Sequence, residues 1–370
     1  MSSSEKIRVG ILFGGQSAEH EISILSARNV LAALDRSRFE PVLIGIDKAG
    51  RWLKQDPEKL LASERDPRLV RVEPGLPVQL PSLPAGSTQS VIGGPGKMDV
   101  VFPVLHGTFG EDGALQGLLE VAGIPYVGAG VLGSAIGMDK DVMKRLLREA
   151  AVPVTSFRTI REDAFKADPK RVLAEVAAAL GLPLFTKPAN AGSSVGIRKV
   201  DNAAALPAAV RYAFEFDTKV VAEAAVEGRE IELAVLGGSP PTVSVAGEIV
   251  VQHPDGFYSY EAKYIDDGAK LELPAKISAE QLARAQALAL RAFEILECEG
   301  MARVDLFLKS DGSLVVNEIN TIPGFTAISM YPKLWALSGV SPTQLITRLI
   351  ELALRRGEKR TTLRRSFAPK

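Results

Sequence analysis

The sequence predicts a mixed α/β and α+β protein of about two or three domains. Three observations carry that expectation. The chain has 370 residues, 46% hydrophobic and 24% charged, which is ordinary globular composition with ample material for a core. Near its start an apolar run of strand length, 7–13, enters Gly14-Gly15, and Ile22, Leu25, Val30 and Leu34 then recur at roughly helical spacing. Near its end, residues 301–326 read as a β-hairpin.

The totals exclude several function classes. Lysine plus arginine equals aspartate plus glutamate, 44 each, so no global charge directs the chain to nucleic acid or an anionic membrane. The basic cluster 355–365 reads as a solvated tail. Cys298 is the only cysteine, so no intramolecular disulfide forms, and a buried small hydrophobe is its expected role. The histidines are His20, His106 and His253, too few for a His-rich zinc site. No apolar run approaches the ~20 residues of a membrane span, and the start lacks the apolar run of a signal peptide. A soluble, cytoplasmic protein is expected.

In chain order, strand 7–13 leads through the glycine pair into a helix, with Ser17 as its expected N-cap. The glycines allow close approach of a ligand to backbone, and a helix N-terminus favours anions. The spacing is not that of a dinucleotide fingerprint. Residues 42–46 make a second strand, and 48–97 form an insertion of loops and short strands. Strand 100–105 ends at His106-Gly107, and Gly110-Glu111-Asp112-Gly113 opens a helix that ends near Gly123. Residues 132–150 read as one helix containing Lys140. Helix 171–180 precedes strand 184–188, which delivers Lys187 to a Gly/Ser loop at 189–196; strand 197–200 follows. A lysine followed by small residues suits a lid over phosphates, with backbone N–H groups gripping oxygens and the ammonium adding charge. Because the lysine precedes the glycines, this is not a Walker loop. Strands 219–225 and 229–236 carry Glu223, Glu230 and Glu232. Residues 257–264 read as a loop, 279–296 as a long helix and 342–356 as the last one.

The hairpin is the element most informative about function. With Asp311-Gly312 as a two-residue loop, Asp305 faces Glu318 and Arg303 faces Asn320, all on one face. Opposed carboxylates ~5 Å apart repel. A divalent cation would remove that repulsion, and Asp305, Glu318 and Asn320 are oxygen ligands of the kind Mg²⁺ takes beside substrate phosphates. The alternative is a solvent-facing hairpin with screened charges.

Together these pieces resemble the D-alanine–D-alanine ligases of the ATP-grasp superfamily. The resemblance is carried by GGQSAEHEIS at 14–23, HGTFGEDG at 106–113, MDK at 138–140, KPANAGSSVG at 187–196, EGREIE at 227–232, YEAKY at 260–264, and RVDLFL with NEINTIPGFT at 303–326. It covers nearly the whole chain outside 48–97. It implies a three-domain ATP-grasp architecture: an N-terminal parallel α/β domain, 1–130; a small central domain, 131–223; and a C-terminal domain with the metal site, 224–370.

It implies joining of two D-alanines through a D-alanyl phosphate, with ATP consumed and ADP and phosphate released, for peptidoglycan precursors. ATP would meet Lys140, Lys187, Glu223, Val226, Glu230 and Lys263. Mg²⁺ or Mn²⁺, two ions, would sit on Asp305, Glu318 and Asn320. Glu19 would hold the ammonium of the first D-alanine, with Ser193 and Tyr264 hydrogen-bonded to it and His106 close by. Arg303 and the Gly324 N–H would take the oxyanion, and Ser329 and Met330 the second substrate. Many relatives carry lysine where Ala224 stands, so one side-chain contact to adenine is absent here. D-lactate or D-serine as second substrate, or a nucleotide-binding homologue without activity, are the alternatives. The expected partners are D-alanine, ATP and a second copy in a homodimer.

Overall fold

Three β-sheets organise the chain. The structure is a computed structural model that describes residues 6–63, 66–78, 98–251 and 269–364. In the first sheet β1 (Ile7–Gly14) lies between β2 (Phe39–Ile46) and β4 (Val100–Pro103), parallel to both. These strands are apolar almost throughout because both faces are covered. β3 (Trp52–Gln55), inside the expected insertion, adds antiparallel to β2, so the sheet is mixed at that edge. Strand order reverses at β1, and in such sheets ligands bind beyond the carboxyl ends of the strands at that point.

The helix after β1, α1 (His20–Ala33), is not capped by Ser17. Glu19 holds the N-cap position, while Ser17 Oγ accepts from the Glu19 N–H and donates to the His106 carbonyl. Ser17 therefore ties two loops together.

The second sheet is antiparallel, β5 (Phe157–Arg161), β8 (Lys219–Ala224), β6 (Leu184–Pro188), β7 (Arg198–Val200). The third is antiparallel too, β11 (Ala269–Glu272), β10 (Thr242–Val251), β9 (Gly228–Leu236), β12 (Met301–Lys309), β13 (Leu314–Asn320). Its buried face packs on the helix Ala279–Ile295 through Ala285, Ala289 and Ala292.

Three local readings need correction. Residues 132–150 are two helices, Val131–Met138 and Lys140–Glu149. The break is at Asp139, whose carboxylate accepts from the N–H groups of Asp141 and Val142 and caps the second helix. The hairpin loop has three residues, with Gly312 at φ +78°, rather than two. Finally, Arg356 and Arg360 are not a solvated tail. The last helix, Pro342–Thr361, lies against the first sheet's connections, where Arg356 donates to the carbonyls of Tyr126 and Gly128 at 2.6 and 2.7 Å and Arg360 pairs with Glu120. That helix shares a core with the first sheet, extended by Phe325 and Tyr331. Among the described residues no helix is long and apolar enough to cross a membrane.

Candidate active site

The loops after β1 and β4 bring Glu19 and His106 into one cleft. Gly14 and Gly15 both have positive φ, so the chain turns sharply, and the Gly15 N–H reaches the carbonyl of Ile46 at 2.7 Å. Glu19 is buried and accepts a hydrogen bond from Ser193 Oγ in the Gly/Ser loop of the second sheet. Gly192 and Gly107 leave room for its carboxylate: a Cβ on Gly192 would lie 2.6 Å from Glu19 Oε2. His106 is buried, with Nδ1 3.0 Å from the Ile322 carbonyl and Nε2 3.3 Å from Ser26 Oγ, and burial lowers its pKa.

The hairpin supplies the floor. Its register at the site is the expected one, Arg303 opposite Asn320 and Asp305 opposite Glu318. Two departures cancel to give it. The three-residue loop shifts pairing by one, and a bulge at Asn317 shifts it back, Leu306 pairing with Val316. Asp305 also lies opposite Glu232 of β9. Arg303 answers both carboxylates: it donates to Asp305 through Nε and Nη2, each at 2.7 Å, and lies 3.1 Å from Glu232. Burial opposes the guanidinium's charge, and Asp305 and Glu232 more than offset it, holding its pKa well above the ordinary value. Asn320 Nδ2 donates to Asp305 at 3.0 Å.

Arg303, Glu318 and Asn320 line the same cleft as Glu19 and His106, as do Gly324, Ser329 and Met330. Ser329 is the N-cap of the helix Met330–Leu337, whose amino end faces this cleft. Glu111 lines it too and accepts from the N–H groups of Gly107 and Ile322 at 2.8 and 3.4 Å. Burial, then the nearby Glu19, pushes its carboxyl up to about 8.

A second cleft lies between the second and third sheets, lined by Lys187, Glu223, Val226 and Glu230. Glu318 and Ser194 line both clefts, so the two meet there. Lys187 donates to Glu223 at 2.9 Å. Lys144 lies 3.4 Å from the other oxygen of Glu223 and also donates to Thr155 Oγ1 and the Asn317 carbonyl. Lys140 Nζ donates to the Ala191 carbonyl, which anchors the Gly/Ser loop. Burial works against each charge. It lowers Lys140, and it lowers Lys144 to about 8, whereas Glu223 and Glu318 overcome it at Lys187 and raise that group. Glu223 is lowered to about 2, because Lys144 and Lys187 outweigh its own burial.

Three lysines thus surround one fully embedded carboxylate beside Glu318. Of these, Lys140 lines the first cleft and Lys187 the second, so each side of the junction carries an ammonium suited to an anion rich in oxygen. Glu318 lines both clefts and Asn320 the first, with Asp305 buried behind them under Arg303; two carboxylates and an amide are the donor types a hard divalent cation takes. Lys263 and Tyr264 lie outside the described residues.

Sequence reasoning gave no role to Lys144, Glu232, Glu111 or Asn317. A signal existed for two of them. Lys144 is four residues from Lys140 on one helix and so shares its face. Glu232 alternates with Glu230 on one strand face.

The family model of the D-Ala–D-Ala ligase N-terminus matches residues 8–129 and that of the C-terminus residues 146–351. The chain belongs to the D-alanine–D-alanine ligase family. It is 53% identical over 367 residues to D-alanine–D-alanine ligase A of Chromobacterium violaceum, covering 98% of this chain and 99% of that one. It is 51% identical over 359 residues to the ligase A of Escherichia coli K12, covering 95% and 97%. The solved D-alanine–D-alanine ligase of Coxiella burnetii superposes with TM-score 0.81 at 38% identity, covering 97% of each chain. The VanG D-Ala:D-Ser ligase of Enterococcus faecalis superposes with TM-score 0.82 at 38% identity, covering 94% and 100%.

Proposed function

We propose that this chain joins two D-alanine molecules into D-alanyl-D-alanine, converting ATP to ADP and phosphate through a D-alanyl phosphate. The observation that carries the reading is the meeting at Glu318 of a small polar cleft lined by Glu19, Lys140 and Arg303 with a second cleft lined by Lys187.

Glu19 holds the ammonium of the first D-alanine, and its carboxylate is turned toward the γ-phosphate. Lys140 and Lys187 neutralise the phosphoryl group in flight, for phosphoryl transfer is mainly positioning and charge stabilisation. Asp305, Glu318 and Asn320 would hold Mg²⁺ or Mn²⁺, two ions, which when bound supply positive charge at the phosphate oxygens. Arg303 and the Gly324 N–H receive the oxygen that becomes negative when the second amine attacks the acyl carbon. Ser329, Met330 and the helix amino end that they begin hold the second carboxylate. Glu223 and Val226 frame the base and Glu230 the ribose; Lys263 joins the cations around the γ-phosphate, and Ser193 and Tyr264 link to Glu19 and close the site. The division 1–130, 131–223 and 224–370, a homodimer, the cytoplasm and a place in peptidoglycan precursor synthesis complete the proposal. The resemblance to a D-Ala:D-Ser ligase keeps D-serine in view as a second substrate.

Purified protein with ATP and Mg²⁺ is expected to release ADP when D-alanine is added, and to yield the dipeptide. Equal turnover with L-alanine would sink the reading, and preference for D-serine as acceptor would shift it to the related activity.

Gly192→Ala tests the grip on the first substrate. The new methyl would press on Glu19 Oε2. We expect kcat/KM for D-alanine to fall at least ~10-fold, on the scale of a misplaced binding group, with KM for ATP little changed. An unaltered D-alanine KM would place the ammonium elsewhere.

A further inference from the structure

The bulge in β13 does more than restore the register. Side chains of consecutive strand residues normally point to opposite faces, so Asn317 and Glu318 should not share a cleft. With Asn317 the extra residue of the bulge, both line the nucleotide cleft. Asn317 is nine-tenths buried, and its Oδ1 has no hydrogen-bond partner among the described residues. A buried acceptor without a donor is uncommon and calls for one.

Its location identifies the donor's class. The Asn317 carbonyl accepts from Lys144 Nζ at 3.0 Å, and that same ammonium lies 3.4 Å from Glu223. Asn317 therefore stands at the Glu223 end of the cleft, whereas Glu318 stands where the two clefts join. The wall at the Glu223 end includes Phe185, Val226 and Phe307, apolar surface suited to a planar base. The nucleoside half of ATP offers N–H groups on its exocyclic amine and O–H groups on its ribose. Leucine in place of Asn317 would pack there but accept nothing.

We propose that Asn317 Oδ1 accepts a hydrogen bond from the nucleoside half of ATP and so contributes to nucleotide choice. This rests on the reading that ATP occupies this cleft. The bulge is then the device that brings a selecting group and a metal-holding carboxylate to one side of one strand.

Calorimetric binding to the full chain tests it, with ATP, purine riboside triphosphate, 2′-deoxyATP and 3′-deoxyATP as probes. Asn317→Leu should bind ATP about threefold to tenfold more weakly, the worth of one neutral hydrogen bond. It should also lose that much of the wild type's discrimination against one analogue. The purine riboside arm reports the amine, and the deoxy arms report the hydroxyls. Asn317→Asp, which keeps the acceptor, should retain the discrimination even if its added charge weakens binding of every probe. Thermal melts confirm folding, and Asn317→Ala is read in the same way should the leucine variant not fold. The proposal is overturned if the variant lacking the acceptor binds ATP as the wild type does, or discriminates all three analogues equally well. A wild type that does not bind ATP at all would defeat the reading of the cleft, and this inference with it.

Discussion

Replacing Arg303 with lysine is expected to leave a folded protein whose turnover has fallen by at least ~10²-fold, the loss measured when one donor to a developing oxyanion is removed. The expectation follows from what Arg303 does on both sides. Toward the sheet, its planar fork satisfies Asp305 with two bonds and lies against Glu232, and both carboxylates are almost completely buried. Toward the cleft it lines the wall where the proposed oxyanion would form. Lysine keeps the charge but not the fork, so it cannot serve two carboxylates and an oxyanion with the same geometry. Arg303→Met goes further: it strands two buried anions, and breaking such a pair costs about 3–5 kcal/mol of stability. Urea melts and single-turnover kinetics separate the effects. The lysine variant should lose kcat with little change in KM for ATP, whereas the methionine variant should lose stability as well. A lysine variant with near-normal kcat would move the oxyanion away from Arg303.

The hairpin shows how much of this site the sequence disclosed. Alternation and an Asp-Gly turn led to the correct facing of Asp305 and Glu318, yet by a route the chain does not take. The three-residue loop and the bulge offset one another, and nothing in the run of residues 314–320 marks a bulge, since it lacks glycine. The bulge is imposed by tertiary contacts: the Val316 N–H reaches the Pro153 carbonyl, and Lys144 reaches the Asn317 carbonyl. For the same reason Asn317 could not be placed in the cleft by period-two reasoning.

Other differences were within reach of sequence rules. The aspartate in Met138-Asp139-Lys140 is a helix-start signal, but the apolar spacing on either side of it suggested one continuous helix. Splitting the helix there places Lys140 in a first turn, with its N–H on the Ala189 carbonyl, and so positions it against the Gly/Ser loop. The arginines near the end had no local signal, because their partners Glu120, Tyr126 and Glu299 are far away in the chain. The expectation set Asp305 against Glu318, and the two do face one another. It overlooked Arg303, two residues from Asp305 on the same strand face and able to fold back on it.

Glu223→Gln should destabilise the protein by about 3–5 kcal/mol at neutral pH, the loss found when one partner of a buried ion pair is removed. Glu223 is 2% exposed, and it answers Lys187 at 2.9 Å and Lys144 at 3.4 Å. The carboxyl, lowered from 4.5 to about 2, favours the folded state, while Lys144, lowered from 10.5 to about 8, opposes it by a similar amount below pH 8. Glutamine removes the favourable half and leaves two ammonium groups facing each other in the interior. The pH dependence gives the sign. A carboxyl lowered on folding contributes fully above its unfolded value near 4.5 and loses that contribution as pH falls toward 2. The wild type should therefore exceed Glu223→Gln most at pH 5–7, and the gap should shrink by ~3 kcal/mol as pH approaches 2, at 1.36 kcal/mol per unit. Urea denaturation of both proteins from pH 7 down to pH 3 follows the first ~2 kcal/mol of that closure, at 1.36 kcal/mol per unit, since every other acid-sensitive group is common to the pair. A gap that stays constant over that range would mean that Glu223 is not held ionised by the lysines, and that the anion-binding character of the cleft has another origin.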